Sequence, residues 1–183
     1  MPLKNTLERY GSLSIAMHWL TLALLIAVYA TILLREGYPK GSDPREALKM
    51  WHFMLGLSVF ALVFVRIGLR FFGPMPRIVP QPPQWQHWLS LGMNLALYLF
   101  LIAMPLLGWL TLSASGKPIP FFGLELPAIW PQDKDFAGTL KEVHETIGEI
   151  GYYLIGAHAL AGIFHHYIVH DNALRRMLPQ RSR

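Results

Sequence analysis

The sequence contains no cysteine. That excludes disulfides, thiolate-bound metals, iron–sulfur clusters and haem attached through thioether bonds. Any metal must be held by histidine, methionine or oxygen, and the chain has eight histidines and eight methionines. Charge is scarce too. Only 15% of the 183 residues are Asp, Glu, Lys or Arg, while 53% are hydrophobic, and a soluble domain of this size carries more charge. There is no internal repeat or low-complexity tract, and no apolar stretch alternates as a barrel strand does.

What is present is four apolar runs, each long enough to cross a bilayer as a helix of about 20 residues. They lie at about 13–34, 48–71, 88–112 and 143–169. The first is too long for a signal peptide, and no small-residue cleavage site follows it. The expected architecture is all-α: an integral membrane four-helix bundle, one domain over 1–183. The connections carry loop chemistry. Residues 35–47 hold Pro, Gly and Asp, and residues 73–83 hold five prolines, too many for a helix. The longest connection, 113–141, contains KPIPFFGLELPAIWP. It reads either as an interfacial loop with Phe and Trp at headgroup level or as a lid over a site on the outer face.

The charges orient the bundle. The N-terminus, the 70–87 connection and the C-terminus share one face. With Arg66 they carry Lys4, Arg9, Arg70, Arg77, Arg175, Arg176, Arg181 and Arg183 against Glu8 and Asp171. The opposite loops mix signs. By the positive-inside rule both termini are expected in the cytoplasm, so the net charge of +5 marks topology and not nucleic-acid binding.

Six of the eight histidines fall inside the spans, where ionisable groups are costly and face the bundle interior, and four of them form a pattern. Span 1 runs outward, so His18 lies toward the cytoplasm. Span 2 runs inward, so His52 lies toward the outside. Span 4 runs inward with His144 near its outer end. His158 follows 14 residues later, about 21 Å deeper and within about 40° of the same helix face. Two depth-matched pairs result, His52 with His144 outside and His18 with His158 inside. Facing imidazoles in a chain without cysteine suit axial ligation of non-covalent haem. Any one membrane histidine could equally be a helix–helix hydrogen-bonding group. Zinc is disfavoured, because neither level offers four ligands. Gly56, Gly148 and Gly151 lie on or near the ligand faces and would let a flat ring approach the backbone.

Further residues follow the same faces. Arg66 comes 14 residues after His52, at or just below the inner level, and could pair with a haem propionate or snorkel to the interface. His165 comes seven residues after His158 and could meet a quinone carbonyl, a propionate or interfacial water. His87, His166 and His170 read as surface or interfacial residues. Trp19 and Trp51 adjoin two proposed ligands and pack on a ring or within the bundle. Methionines read as core filling.

The segments LSIAMHWL, KMWHFMLG, VHETIGEIGYYLIGAHALAGIFHHY and DNALRRMLP resemble the bacterial cytochrome b561 family over nearly the whole length. The resemblance implies a four-helix membrane bundle in the bacterial inner membrane with two b-type haems. The family's motif histidines fall on His18, His52, His144 and His158. It also implies electron exchange with ubiquinone and, in the branch most similar to this chain, superoxide as the electron donor, a superoxide:ubiquinone oxidoreductase. For a small anion a donor site needs positive potential. Lys117, Lys134 and Lys141, with Arg35 and Lys49, are the outer candidates; ordinary solvated charge is the other reading. Membrane lipid is the surrounding partner, and nothing in the sequence requires a protein partner. An alternative function is the electron-transfer subunit of a larger dehydrogenase or hydrogenase. Another is a haem-free transporter relaying protons or metal through its histidines.

Overall fold

The computed structural model describes residues 3–179, so Arg181 and Arg183, counted above toward the cytoplasmic charge, lie outside the described residues. Four long helices run in sequence: α1 (Ser12–Leu34), α2 (Asp43–Phe71), α3 (Gln84–Ala114) and α4 (Lys134–Phe164). At 23 to 31 residues, each spans about 35–46 Å of helix and is long and apolar enough to cross a membrane. Their outward side chains are what lipid requires: Ile26, Phe64, Leu95, Leu99, Tyr153 and Leu160 are all exposed. The molecule is a multi-pass membrane bundle.

The helices extend past their apolar runs where polar residues cap them. α2 begins at Asp43, with Pro44 in its first turn, where a missing N–H costs nothing. α4 begins at Lys134, because the Asp133 carboxylate accepts from the Phe136 N–H at 3.0 Å. α1 has no side-chain cap of its own. Instead Asn5 Oδ1 accepts from the Gly11 N–H and the Ser14 hydroxyl. A Cβ at Gly11 would strike the backbone of Leu3 and Lys4, so only glycine fits that crossing.

The α1–α2 turn is closed by Arg45, which is 8% exposed. Its guanidinium donates to the carbonyls of Arg35 at 2.8 Å and Tyr38 at 2.9 Å, groups a helix end otherwise leaves unpaired. The 113–141 connection folds into a hairpin, β1 (Ile119–Phe121) paired antiparallel with β2 (Leu124–Leu126). Its two turn residues, Phe122 and Gly123, both have positive φ, as a tight primed turn demands. Such a φ is strained for phenylalanine. Phe122 is held there by its N–H on Met54 Sδ at 3.4 Å and by its ring against Trp51. Ile119, 2% exposed, seats the hairpin on Leu57 and Leu112 at one end of the bundle.

Consecutive helices pack against each other, α1 on α2, α2 on α3 and α3 on α4, while α4 makes few contacts with α1 or α2. A central core of Val59, Val63, Phe100 and Leu101 ties the bundle at mid-depth. The α4 backbone thus stands off from those of α1 and α2, and the ligand candidates face each other across that gap between backbones.

Candidate functional site

His18 on α1 faces His158 on α4 with ring centroids 6.2 Å apart and planes at 58°. His52 on α2 faces His144 on α4, also at 6.2 Å, with planes at 81°. One metal between two imidazoles needs two bonds of about 2 Å plus about 1 Å of ring on either side, roughly 6 Å in all. The same distance would suit an edge-to-face ring contact, so the surroundings decide. His52 Nδ1 lies 3.0 Å from the Val28 carbonyl, and a carbonyl only accepts, so this nitrogen carries the proton. Nε2 is left with its lone pair, the form a metal ligand takes. His144 Nδ1 is buried, with the Met104 backbone as its polar neighbour. Among the described residues no three His, Asp or Glu side chains cluster as metal ligands would. Two protein ligands per level fit an iron whose other four ligands come from a porphyrin.

Space points the same way. A Cβ on Gly56, one turn from His52, would meet nothing within 4 Å. A Cβ on Gly108 would stand 3.4 Å from the His144 ring, so α3 yields room for that imidazole. Gly151 behaves differently from the expectation. The space over it is filled by Phe100 and by the Tyr29 hydroxyl, which a Cβ would strike. Tyr29 also donates to the Gly148 carbonyl at 2.7 Å and lies on the Tyr152 ring with centroids 4.3 Å apart. This aromatic group separates the two histidine levels. Gly151 therefore seats a helix contact and not a ring edge.

At the end where α1 starts and α4 finishes, Arg66 lies near the His18–His158 pair, where its charge acts on both imidazoles, and its guanidinium sits 5.9 Å from the Tyr98 ring centre. His165 has a partner that sequence reasoning missed. Its Nδ1 lies 2.6 Å from Oδ2 of Asp171, whose side chain is fully buried. The other carboxylate oxygen accepts from the Ala173 N–H at 2.8 Å. A π-helical turn over His165–Val169 and a left-handed His170 bring residues 165 and 171 together, closed by the Asp171 N–H on the His165 carbonyl. No helical periodicity announces that pairing.

The same end is laced by backbone bonds. Trp19 Nε1 donates to the Met177 carbonyl at 2.7 Å. Arg176 donates to the Pro76 carbonyl and sits 5.6 Å from the Tyr10 ring centre. Burial pulls the Arg176 guanidinium below its ordinary pKa, while Tyr10 and Asp171 oppose that shift. His87 and His170 are exposed, and His166 is half-buried. Of the cations at the hairpin end, Arg35 pairs with Glu36 at 2.8 Å, Lys49 with Glu46 at 2.7 Å and Lys141 with Glu145 at 3.1 Å. Lys117 and Lys134 form no ion pair among the described residues.

Residues 9–180 match the family model described as prokaryotic cytochrome b561. The chain is 38% identical over 176 residues to cytochrome b561 homolog 1 of Escherichia coli K12, covering 96% of this chain and 100% of the relative. It is 36% identical over 174 residues to the probable superoxide oxidase CybB of Yersinia pestis, covering 95% and 98%. Cytochrome b561 homolog 2 of Escherichia coli K12 is 31% identical over 193 residues, covering 100% and 97%.

Proposed function

Because the chain belongs to the prokaryotic cytochrome b561 family, a family of b-type membrane cytochromes that carry electrons, we propose that it holds two haems and passes electrons from superoxide outside to ubiquinone in the membrane. The whole chain, 1–183, acts as one cytochrome domain of the bacterial inner membrane with both termini in the cytoplasm. The observation that carries the reading is the repeated 6.2 Å imidazole separation at two depths, each pair drawn from opposite walls of one gap. His52 and His144 hold the outer haem, and His18 and His158 the inner one. Bound haem supplies a one-electron iron couple, and with two histidine ligands it offers oxygen no open position.

The chain's own residues do the rest. Lys117 and Lys134, free of ion pairs among the described residues, draw a small anion to the outer end. The Yersinia pestis relative, named a probable superoxide oxidase, supports superoxide as that anion. Arg66 pairs with a propionate of the inner haem. His165 meets the quinone headgroup at the cytoplasmic end. With Nδ1–H committed to Asp171, Nε2 of the neutral ring is an acceptor. It takes a proton from the cytoplasmic side before it can donate to a quinone oxygen. The balance is two superoxide, one ubiquinone and two protons giving two oxygen and one ubiquinol.

The test is coupled. Purified protein in nanodiscs receives superoxide from an enzymatic source, and a soluble ubiquinone analogue is followed by its absorbance. One quinol per two superoxide, dependent on this protein, supports the reading. Haem reduction by a quinol or a dehydrogenase, with none by superoxide, would replace the donor. Acid–acetone extraction should release two haems per chain, and any haem left on the polypeptide contradicts non-covalent binding.

A further inference from the structure

Two adjacent residues of α1 reach both helices that carry the outer histidines, although α1 contributes neither of them. The Val28 carbonyl accepts from His52 Nδ1 at 3.0 Å. The Tyr29 hydroxyl donates to the Gly148 carbonyl at 2.7 Å, one turn along α4 from His144. We propose that this Val28–Tyr29 step is a clasp that sets the width of the outer cofactor site, which makes Tyr29 a positioning residue for the haem held there. The inference rests on the di-haem reading above.

The packing of the bundle supports such a clasp. α4 makes few contacts with α1 or α2, so packing alone fixes the gap weakly. Membrane helices gain no hydrophobic drive toward one another, which leaves close packing and interhelical hydrogen bonds to set their spacing. Gly151 is notched for this contact, since any side chain there would strike Tyr29 and Phe100. The Tyr29 ring is braced on Tyr152 at 4.3 Å, so the hydroxyl is aimed and not swinging. The inner pair has no need of the device, because α1 itself carries His18.

The consequence is electrochemical. Partners of a metal-ligating imidazole, and the apolar shell around it, tune the metal beyond its direct ligands. A loosened α1–α4 contact admits water beside the outer iron. Water favours the more highly charged oxidised state, so the outer potential falls.

Redox titration of full-length, haem-loaded protein tests this, with the outer component identified by its loss in His144→Ala. Tyr29→Phe keeps the ring and its stack and removes only the donor. It should lower the outer component by a three- to tenfold change in its reduction equilibrium, about 30–60 mV for one electron, and leave the inner component in place. Tyr29→Leu should shift it further or empty the outer site; if that variant fails to fold, Tyr29→Phe decides. Tyr152→Phe should be silent in the titration. In the same haem-loaded protein, Tyr29→Phe should also lower the melting temperature, a readout independent of turnover. An unmoved outer component in Tyr29→Phe, or equal shifts at both levels, overturns the clasp while the di-haem reading stands. A single redox component in the unmodified protein overturns both.

Discussion

Replacing Asp171 by Asn is the sharpest single perturbation of the proposed quinone end. The carboxylate is fully buried, accepts from His165 Nδ1 at 2.6 Å and accepts from the Ala173 N–H at 2.8 Å. Asparagine keeps the shape and can keep the Ala173 bond, but its amide nitrogen then faces Nδ1 as a donor. The imidazole must turn its proton onto Nε2 to match. Nε2–H can still meet a quinone oxygen, but with no carboxylate behind it the ring no longer readily takes up a second proton to hand to the quinone as it is reduced. A hydrogen bond to a charged group contributes about 1.5–3 kcal/mol, and each 1.4 kcal/mol is a factor of about 10. Asp171→Asn should therefore slow reoxidation of the reduced protein by a soluble ubiquinone analogue by roughly 10- to 150-fold. Haem content should be unchanged, since neither residue is a ligand. The decisive form is a double-mutant cycle read by stopped-flow. His165→Ala should cost a similar factor, and the double variant should be no worse than His165→Ala alone, because Asp171 acts through that ring. If the two losses multiplied, or if both variants reoxidised at the normal rate, the quinone would lie elsewhere.

Other outcomes follow from the same geometry. Gly151→Leu should overpack the contact with Phe100 and Tyr29, costing at least about 1–3 kcal/mol, visible as a lower melting temperature with haem lost from the outer level before the inner. Lys117→Glu combined with Lys134→Glu should slow reduction by superoxide and weaken or reverse its dependence on ionic strength, while the rate with a neutral donor stays put; an unchanged superoxide rate would remove these cations from the entry path. Arg45→Ala strips two carbonyls of their donor at the α1–α2 turn; the variant should melt at lower temperature yet keep both spectral components, and loss of the outer component would tie that turn to the outer site.

How much the sequence foretold varied with the kind of signal. The four spans were legible because bilayer crossing imposes length and apolarity on a continuous segment. The histidine pairs were legible because helical rise converts sequence spacing directly into depth. The ends of the helices were less so. α4 starts at Lys134, nine residues before its apolar run, because Asp133 caps a polar first turn. Gly151 looked like room for a ring, yet the room is taken by side chains from α1 and α3, whose approach no spacing within α4 reports. Asp171 looked like a stray acid on a basic face. Its pairing with His165 depends on a widened last turn and a left-handed His170, a conformation that histidine seldom takes and no pattern marks. The long connection read as an interfacial loop or a lid, and the hairpin emerged only from the pairing of residues 119–121 with 124–126.

The central claim is that two haems sit at two depths, each held by a histidine from either wall of the gap. Redox titration of four single variants tests it most directly. His52→Ala and His144→Ala should abolish the same component, and His18→Ala and His158→Ala should abolish the other. Loss of one component by both His18→Ala and His52→Ala, with the second untouched, would contradict the account.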